Sequence, residues 1–296
     1  MQTIPAKTII GRTQNTSWFG TDYNMNIYKG CCHGCIYCDS RSDCYQIQDF
    51  DTVRAKENAV ILIRDELRKK TKTGVIGTGS MSDPYNPFEE KHRLTRQALE
   101  YIDEYHFGIS IATKSDLICR DIDLLQRIQS HSPAICKITI TTLDDELAGK
   151  IEPGACVSSR RFKAVQELSE AGIFTGILMM PLLPGLTDTM DNVMAIIHAA
   201  KNSGARFIYP MFGLSLRNGQ REYLYQKLDE LFPELSLRQT YVRLYGSSYV
   251  CHSPNSPKLY PLFAQECKKL GILYKMEEII AAYKKKYQYQ QLSLFQ

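Results

Sequence analysis

The sequence predicts an α/β protein built as a partial (β/α)6 TIM-like barrel with a helical C-terminal extension. Between residues 24 and 212, short β-branched or apolar runs alternate with longer segments of helical period, the pattern of βα units with parallel strands. Six such runs occur, two short of the eight that close a full barrel. After Gly213 the strand-like runs stop and helical periodicity takes over.

In chain order the predicted strands are 24–28, 75–78, 109–113, 138–142, 174–180 and 207–211. Helices are predicted between them near 53–70, 93–105, 116–129, 159–171 and 188–203. The fourth helix illustrates the signals: Ser158 or Ser159 can cap its start, Phe162, Val165 and Leu168 fall on one face, and Gly172 can end it. Right-handed crossovers curl such units into a sheet with helices outside. The C-terminal strand ends, the working face of such barrels, carry the cysteine loop, Gly79 to Asp83, Lys114 and Thr142. The extension reads as helices near 219–231, 257–270 and 275–286, broken by the polar CHSPNSP at 251–257. Three regions follow: a barrel over 1–213, a helical extension over 214–287 and a flexible tail over 288–296.

A chain of 296 residues is near the upper limit for a single core. With 44% hydrophobic and 23% charged residues it has the composition of a soluble globular protein. Its longest apolar stretch, 172–186, is too short to span a bilayer and holds two prolines, Pro181 and Pro184, so no membrane span is expected. The N-terminus lacks the charged-then-apolar layout of a secretory signal, which predicts a cytoplasmic location with reduced thiols. A net charge of +4 is too small to argue for nucleic acid unaided.

Four of the ten cysteines crowd into residues 31–38, which suits a metal better than a disulfide framework. Cys31, Cys35 and Cys38 form C-x3-C-x2-C directly after the first predicted strand. Three thiolates this close can wrap one cubane and leave its fourth iron free for a substrate amine and carboxylate, whereas a four-cysteine cluster is closed. Three other readings stand beside it. A zinc site could use Cys35, Cys38 and His33, but the spacing fits no standard finger and no second C-x2-C follows. A ferredoxin could use Cys32, Cys35 and Cys38, but Ser42 stands in the region of the next ligand and no proline follows. A redox pair of Cys35 and Cys38 leaves Cys31 without a role. Cys32 is read as a bystander, because adjacent side chains in a tight loop point apart.

The motifs NIYKGCCHGCIYC at 26–38, MSDPYNPFE at 81–89, LTRQALE at 94–100, ATKSDLICRDIDLL at 112–125, IEPGACVSSRRF at 151–162 and GILMMPLLPGLTD at 176–188 span most of the chain to residue 213. Together they resemble the spore photoproduct lyase-like branch of the radical S-adenosylmethionine (SAM) superfamily. The resemblance implies a 4Fe-4S cluster on Cys31, Cys35 and Cys38, SAM as second cofactor, and an electron donor protein. It further implies that the reduced cluster breaks the sulfonium of SAM and that a 5'-deoxyadenosyl radical abstracts hydrogen from the substrate. Tyr37 would lie beside the adenine. Gly79, Ser80, Met81, Ser82 and Asp83, with Ser82 foremost, would meet the methionyl group of SAM, and Lys114 would approach its carboxylate. A competing reading of GTGS at 77–80 as half a dinucleotide fingerprint is opposed by Pro84 and Pro87, which block the helix it needs. Arg160 and Arg161 at a predicted helix N-terminus oppose the helix dipole, which calls for an anionic partner.

One position departs from the pattern. Spore photoproduct lyases carry a hydrogen-donating cysteine two residues before the serine of Ser-Asp, and here that residue is Ser80. An O–H bond is stronger than an S–H bond, so serine cannot take over, and Cys251 or a tyrosine would have to serve. The resemblance therefore implies a related, lyase-like radical SAM enzyme of DNA repair or modification rather than the same reaction. Radical chemistry on RNA or protein is the alternative enzyme reading, and a non-catalytic metal-bound nucleic-acid adaptor the alternative outside enzymes. In the tail, Gln291, Leu292, Ser293, Leu294 and Phe295 resemble the peptide by which bacterial repair proteins dock on the DNA sliding clamp, with Lys284, Lys285 and Lys286 before them to lie near DNA.

Overall fold

The computed structural model describes residues 1–79 and 81–287, so Ser80 and the tail motif Gln291 to Phe295 lie outside the described residues. Six parallel strands form in the predicted order: β1 (Tyr23–Met25), β2 (Val75–Thr78), β3 (Gly108–Thr113), β4 (Ala134–Thr139), β5 (Thr175–Leu182) and β6 (Phe207–Ser215). Each pairs in parallel with the next. Antiparallel strands Ile10–Arg12 on β1 and Val250–His252 on β6 complete an eight-stranded sheet. Among the described residues no ladder joins β1 to β6, so the barrel is partial. No helix of the described residues is long and apolar enough to cross a membrane.

The crossover helices are α1 (Ala59–Lys69), α2 (Leu94–Glu104), α3 (Ile122–His131), α4 (Ser158–Glu170) and α5 (Met190–Asn202). The two-residue period of a strand sends alternate side chains to opposite faces. Ile76, Ile109, Ile111, Ile138, Ile177 and Ile208 pack outward in the cluster that holds Ile63, Leu99, Leu124, Val165 and Ile196 of the helices. Fully burying each such side chain contributes roughly 1.5–3 kcal/mol. Val75, Ile135, Leu178 and Phe207 turn inward, where they meet Phe19 and the last helix of the chain.

Four details differ from the sequence reading. The first strand divides: the chain leaves the barrel at Asn26, and Tyr28–Lys29 pairs instead with Arg54–Lys56 in a separate three-stranded sheet. β4 starts at Ala134 rather than Ile138, because Lys137 interrupts an otherwise apolar run and hides its strand character. α4 has Val157 as its N-cap, with neither serine capping; Ser159 N and Oγ both donate to Asp145, at 2.9 and 2.5 Å. The extension holds α6 (Gln220–Leu231), α7 (Leu237–Tyr245), α8 (Ser256–Leu270) and α9 (Met276–Lys284), and the polar break contributes the edge strand Val250–His252. α7 escaped the sequence reading because only Leu237 and Tyr241 of its nine residues are buried.

Candidate functional site

The cysteine loop is clamped from three sides. Gly30 takes φ +79°, and a Cβ there would meet Thr52 O at 2.3 Å, so the approach requires glycine. Cys31 N donates to Phe50 O at 2.8 Å, and Ser82 Oγ donates to Gly30 O at 2.6 Å. On the far side the 151–156 segment runs against the loop: Ile36 N donates to Ile151 O at 3.0 Å and Gly154 N to His33 O at 2.8 Å. A Cβ on Gly154 would lie 2.1 Å from Cys32 O. The third side is the extension, whose Leu224, Leu228 and Tyr241 share a core with Cys35, Ile36 and Tyr37.

This clamp turns Cys31, Cys35 and Cys38 into one cavity of about 270 Å3 and leaves Cys32 out of its wall. All three are free thiols. Burial pushes the Cys31 thiol up to about 12 and the Cys35 thiol well above its ordinary value. Thiols so placed would ionise beside a cation, and a bound metal would supply one. The count of three, with no fourth cysteine in the wall among the described residues, fits a cubane with one iron open. Cys251, the alternative hydrogen donor, belongs to the neighbouring core, its Sγ 3.4 Å from Ser248 O, and does not line this cavity. Among the described residues Tyr37 is the one tyrosine in its wall.

Asp83, expected beside SAM, is spent on architecture. Its Oδ1 accepts from Thr113 Oγ1 at 2.6 Å and Tyr85 N at 2.9 Å, and its Oδ2 accepts from Lys114 N at 2.8 Å. His33 Nδ1 stands 3.4 Å from the same oxygen, and burial holds that imidazole below its ordinary value, hence neutral. One carboxylate thus ties the end of β3 to the turn after β2 and to the cysteine loop. Gly79 takes φ +91° in that turn, where a Cβ would strike Ala112 O at 2.0 Å. Gly79, Met81, Ser82, Asp83 and Lys114 all line the cavity, opposite the cysteines.

Lys114 Nζ lies 5.6 Å from the centre of the Tyr37 ring. Burial opposes its charge, but an ionised Cys35 and the Glu152 carboxylate outweigh that and raise the ammonium above its ordinary range. Beneath it the Tyr37 hydroxyl donates to Glu152 Oε1. Arg161 Nη2 sits 2.5 Å from Glu152 Oε2 as an ion pair without hydrogen-bond alignment, while its other nitrogens donate to Cys156 O at 2.6 Å and Thr139 O at 3.0 Å. Against burial, Arg161 and Lys114 keep the Glu152 carboxyl below its ordinary value. The anionic partners called for by two arginines at a helix start are therefore in the chain itself: Glu152 for Arg161 and Asp116, 2.5 Å from Arg160. Glu152 and Arg161 were not read as site residues from the sequence, although both stand in the IEPGACVSSRRF motif.

Two other motifs meet in a second buried network. The Tyr28 hydroxyl donates to Glu89 Oε1, Tyr85 Oη donates to Asp121 Oδ2 at 3.1 Å, and Arg120 reaches both Glu89 O at 2.6 Å and Asp121 Oδ2 at 2.8 Å. The PYNPFE part of the second motif and RDIDLL are thus locked together outside the cavity wall, to which Ser82 and Asp83 belong.

Three thiols around one cavity with a glycine turn and a half-buried lysine, the last two at the C-terminal ends of parallel strands, fit an iron–sulfur enzyme of partial-barrel type. The model of the Radical SAM superfamily matches residues 25–205. An uncharacterized protein of Methanocaldococcus jannaschii is 32% identical over 227 residues, covering 76% of this chain and 83% of the relative. The radical SAM Nalpha-GlyT isomerase of Pseudomonas phage M6 is 26% identical over 56% of this chain and 34% of its own. The structure of spore photoproduct lyase complexed with dinucleoside spore photoproduct superposes with a TM-score of 0.62 at 12% identity, covering 89% of this chain and 77% of that one. The chain belongs to the radical SAM superfamily. Its cofactors are accordingly a 4Fe-4S cluster and SAM.

Proposed function

We propose that this radical SAM enzyme acts on DNA, in repair or modification, with Cys31, Cys35 and Cys38 as the cluster ligands. The observation that carries the reading is the single cavity that faces these three thiols with Lys114 and the Gly79 turn. When bound, the cluster and SAM supply a 5'-deoxyadenosyl radical for hydrogen abstraction. The residues of the chain hold and orient. Lys114 offers a protonated ammonium to the methionyl carboxylate, Gly79 allows backbone approach, and Ser82 keeps the cysteine loop in register while its oxygen stays free to accept. Met180 and Met211 close the cavity with apolar surface that excludes water from a reactive radical.

DNA as substrate is supported by the similar fold of spore photoproduct lyase complexed with dinucleoside spore photoproduct. The tail motif Gln291 to Phe295, as a sliding-clamp ligand, would bring the enzyme to replicating DNA. Anaerobic protein reduced in the presence of SAM and deuterated DNA should place label in 5'-deoxyadenosine. Label arriving from RNA and from no DNA would reverse the substrate assignment. Deleting residues 291–296 should abolish binding to the clamp, and unchanged affinity removes that partner.

A further inference from the structure

A second cavity, of about 320 Å3, lies inside the barrel and shares Gly79, Asp83, Lys114 and Met180 with the cysteine cavity. Its wall includes Asn24, Thr113 and Thr139, and Trp18, the one tryptophan of the chain, stands on it 42% exposed. Lys137, in the middle of β4 and 2% exposed, also lines this space. Its Nζ donates to Ser110 Oγ at 2.8 Å and rests 4.5 Å from the centre of the Phe19 ring. Among the described residues no carboxylate stands within ion-pair distance of it.

An inward strand position in a barrel takes Leu, Ile or Met without penalty, as Ile135 and Leu178 do beside it. A lysine there costs several kcal/mol of desolvation that one hydroxyl and one ring do not offset. An anion that enters the pocket offsets this cost while the lysine stays charged. Two of the three ammonium donors remain available after Ser110 is served, and Asn24 and the threonine hydroxyls add neutral donors around the same space.

We infer that the barrel pocket is a binding site for an oxyanion carried by the substrate, a phosphate or a carboxylate, with Lys137 as its cationic contact. The inference rests on the radical SAM reading for the identity of the neighbouring cavity and adds the chemistry of the group held below it. The pocket is adjacent to where the radical is delivered, so an anion fixed at Lys137 sets which atom of the substrate lies within reach.

The test uses cluster-loaded protein without SAM and follows Trp18 fluorescence at low ionic strength as inorganic phosphate, deoxythymidine 5'-monophosphate or acetate is added. Phosphate and the nucleotide should give saturable changes if the group is a phosphate; acetate should give the tighter response if it is a carboxylate. Lys137→Gln should weaken the responding ligand about tenfold or more, and Lys137→Arg should recover most of that loss. Ala112→Leu narrows the pocket and leaves Lys137 in place, and it should also weaken binding. A wild-type protein with no saturable response to any of the three overturns the inference, as does equal affinity in Lys137→Gln or Ala112→Leu. SAM cleavage is measured separately, so its loss would count against the radical SAM function and not against the pocket.

Discussion

Tyr37 and Arg161 share one carboxylate: the tyrosine hydroxyl donates to Glu152 Oε1 and the guanidinium lies 2.5 Å from Oε2. Tyr37 sits between two proposed cluster ligands and Arg161 in the first turn of α4, so this contact joins the cysteine loop to the barrel wall. Glu152→Ala would strand a buried guanidinium, at a cost of about 3–5 kcal/mol. Urea unfolding should register that loss, and iron content after anaerobic reconstitution should fall with it. Glu152→Gln, which can still accept from Tyr37, should fall between.

Cys32 is adjacent to a proposed ligand and outside the cavity wall. Cys32→Ala should therefore keep the iron content and the EPR signal of the reduced protein, whereas Cys31→Ala, Cys35→Ala or Cys38→Ala should lose both. Retention of full iron in any of the latter three would refute the ligand assignment.

Gly154 allows the 151–156 segment to touch the loop, since a Cβ would lie 2.1 Å from Cys32 O. Gly154→Ala should push the segment away and cost on the order of 1–3 kcal/mol in local strain. The expected readout is faster loss of iron to a chelator, with far-UV circular dichroism unchanged.

Burial pushes Lys137 down to about 7. Below that pH the lysine is charged in both folded and unfolded states, and its burial penalty is constant. Above it the folded protein has released the proton while the unfolded chain keeps it to about pH 10.4, so stability rises with pH across that window. Lys137→Met should be the more stable protein at about pH 6, and the gap in urea midpoints should shrink toward about pH 9. A gap independent of pH would contradict the direction of the shift.

The six-strand order was legible because parallel strands buried on both faces read as apolar runs at regular spacing. Val75–Thr78 matches its predicted bounds for that reason. β4 was misplaced at its start because Lys137 faces the lumen rather than the core and breaks the apolar pattern. That Cys31, Cys35 and Cys38 lie around one cavity follows the spacing that singles them out in the sequence. Glu152 and Arg161 were not legible, because they are distant in sequence from Tyr37 and meet it only through the fold. Asp83 and Ser82 line the cavity, but their hydrogen bonds are made to Thr113, Lys114 and Gly30, and no sequence pattern states which way a side chain is turned.

Trp18 packs edge-on to Tyr209 of β6 at 5.4 Å, and Phe19 approaches Tyr209 and Phe207 at 5.5 and 5.8 Å, across the opening between the first and last strands. The seam is therefore stitched by rings where the rest of the wall is laced by amide ladders. Rings slide and re-pack at small cost, whereas a ladder must break pair by pair. The side of the wall between the first and last strands is thus held by side chains, through these rings and the Tyr283 hydroxyl that donates to Phe19 O at 2.6 Å, and a substitution there acts on the barrel without touching its ladders.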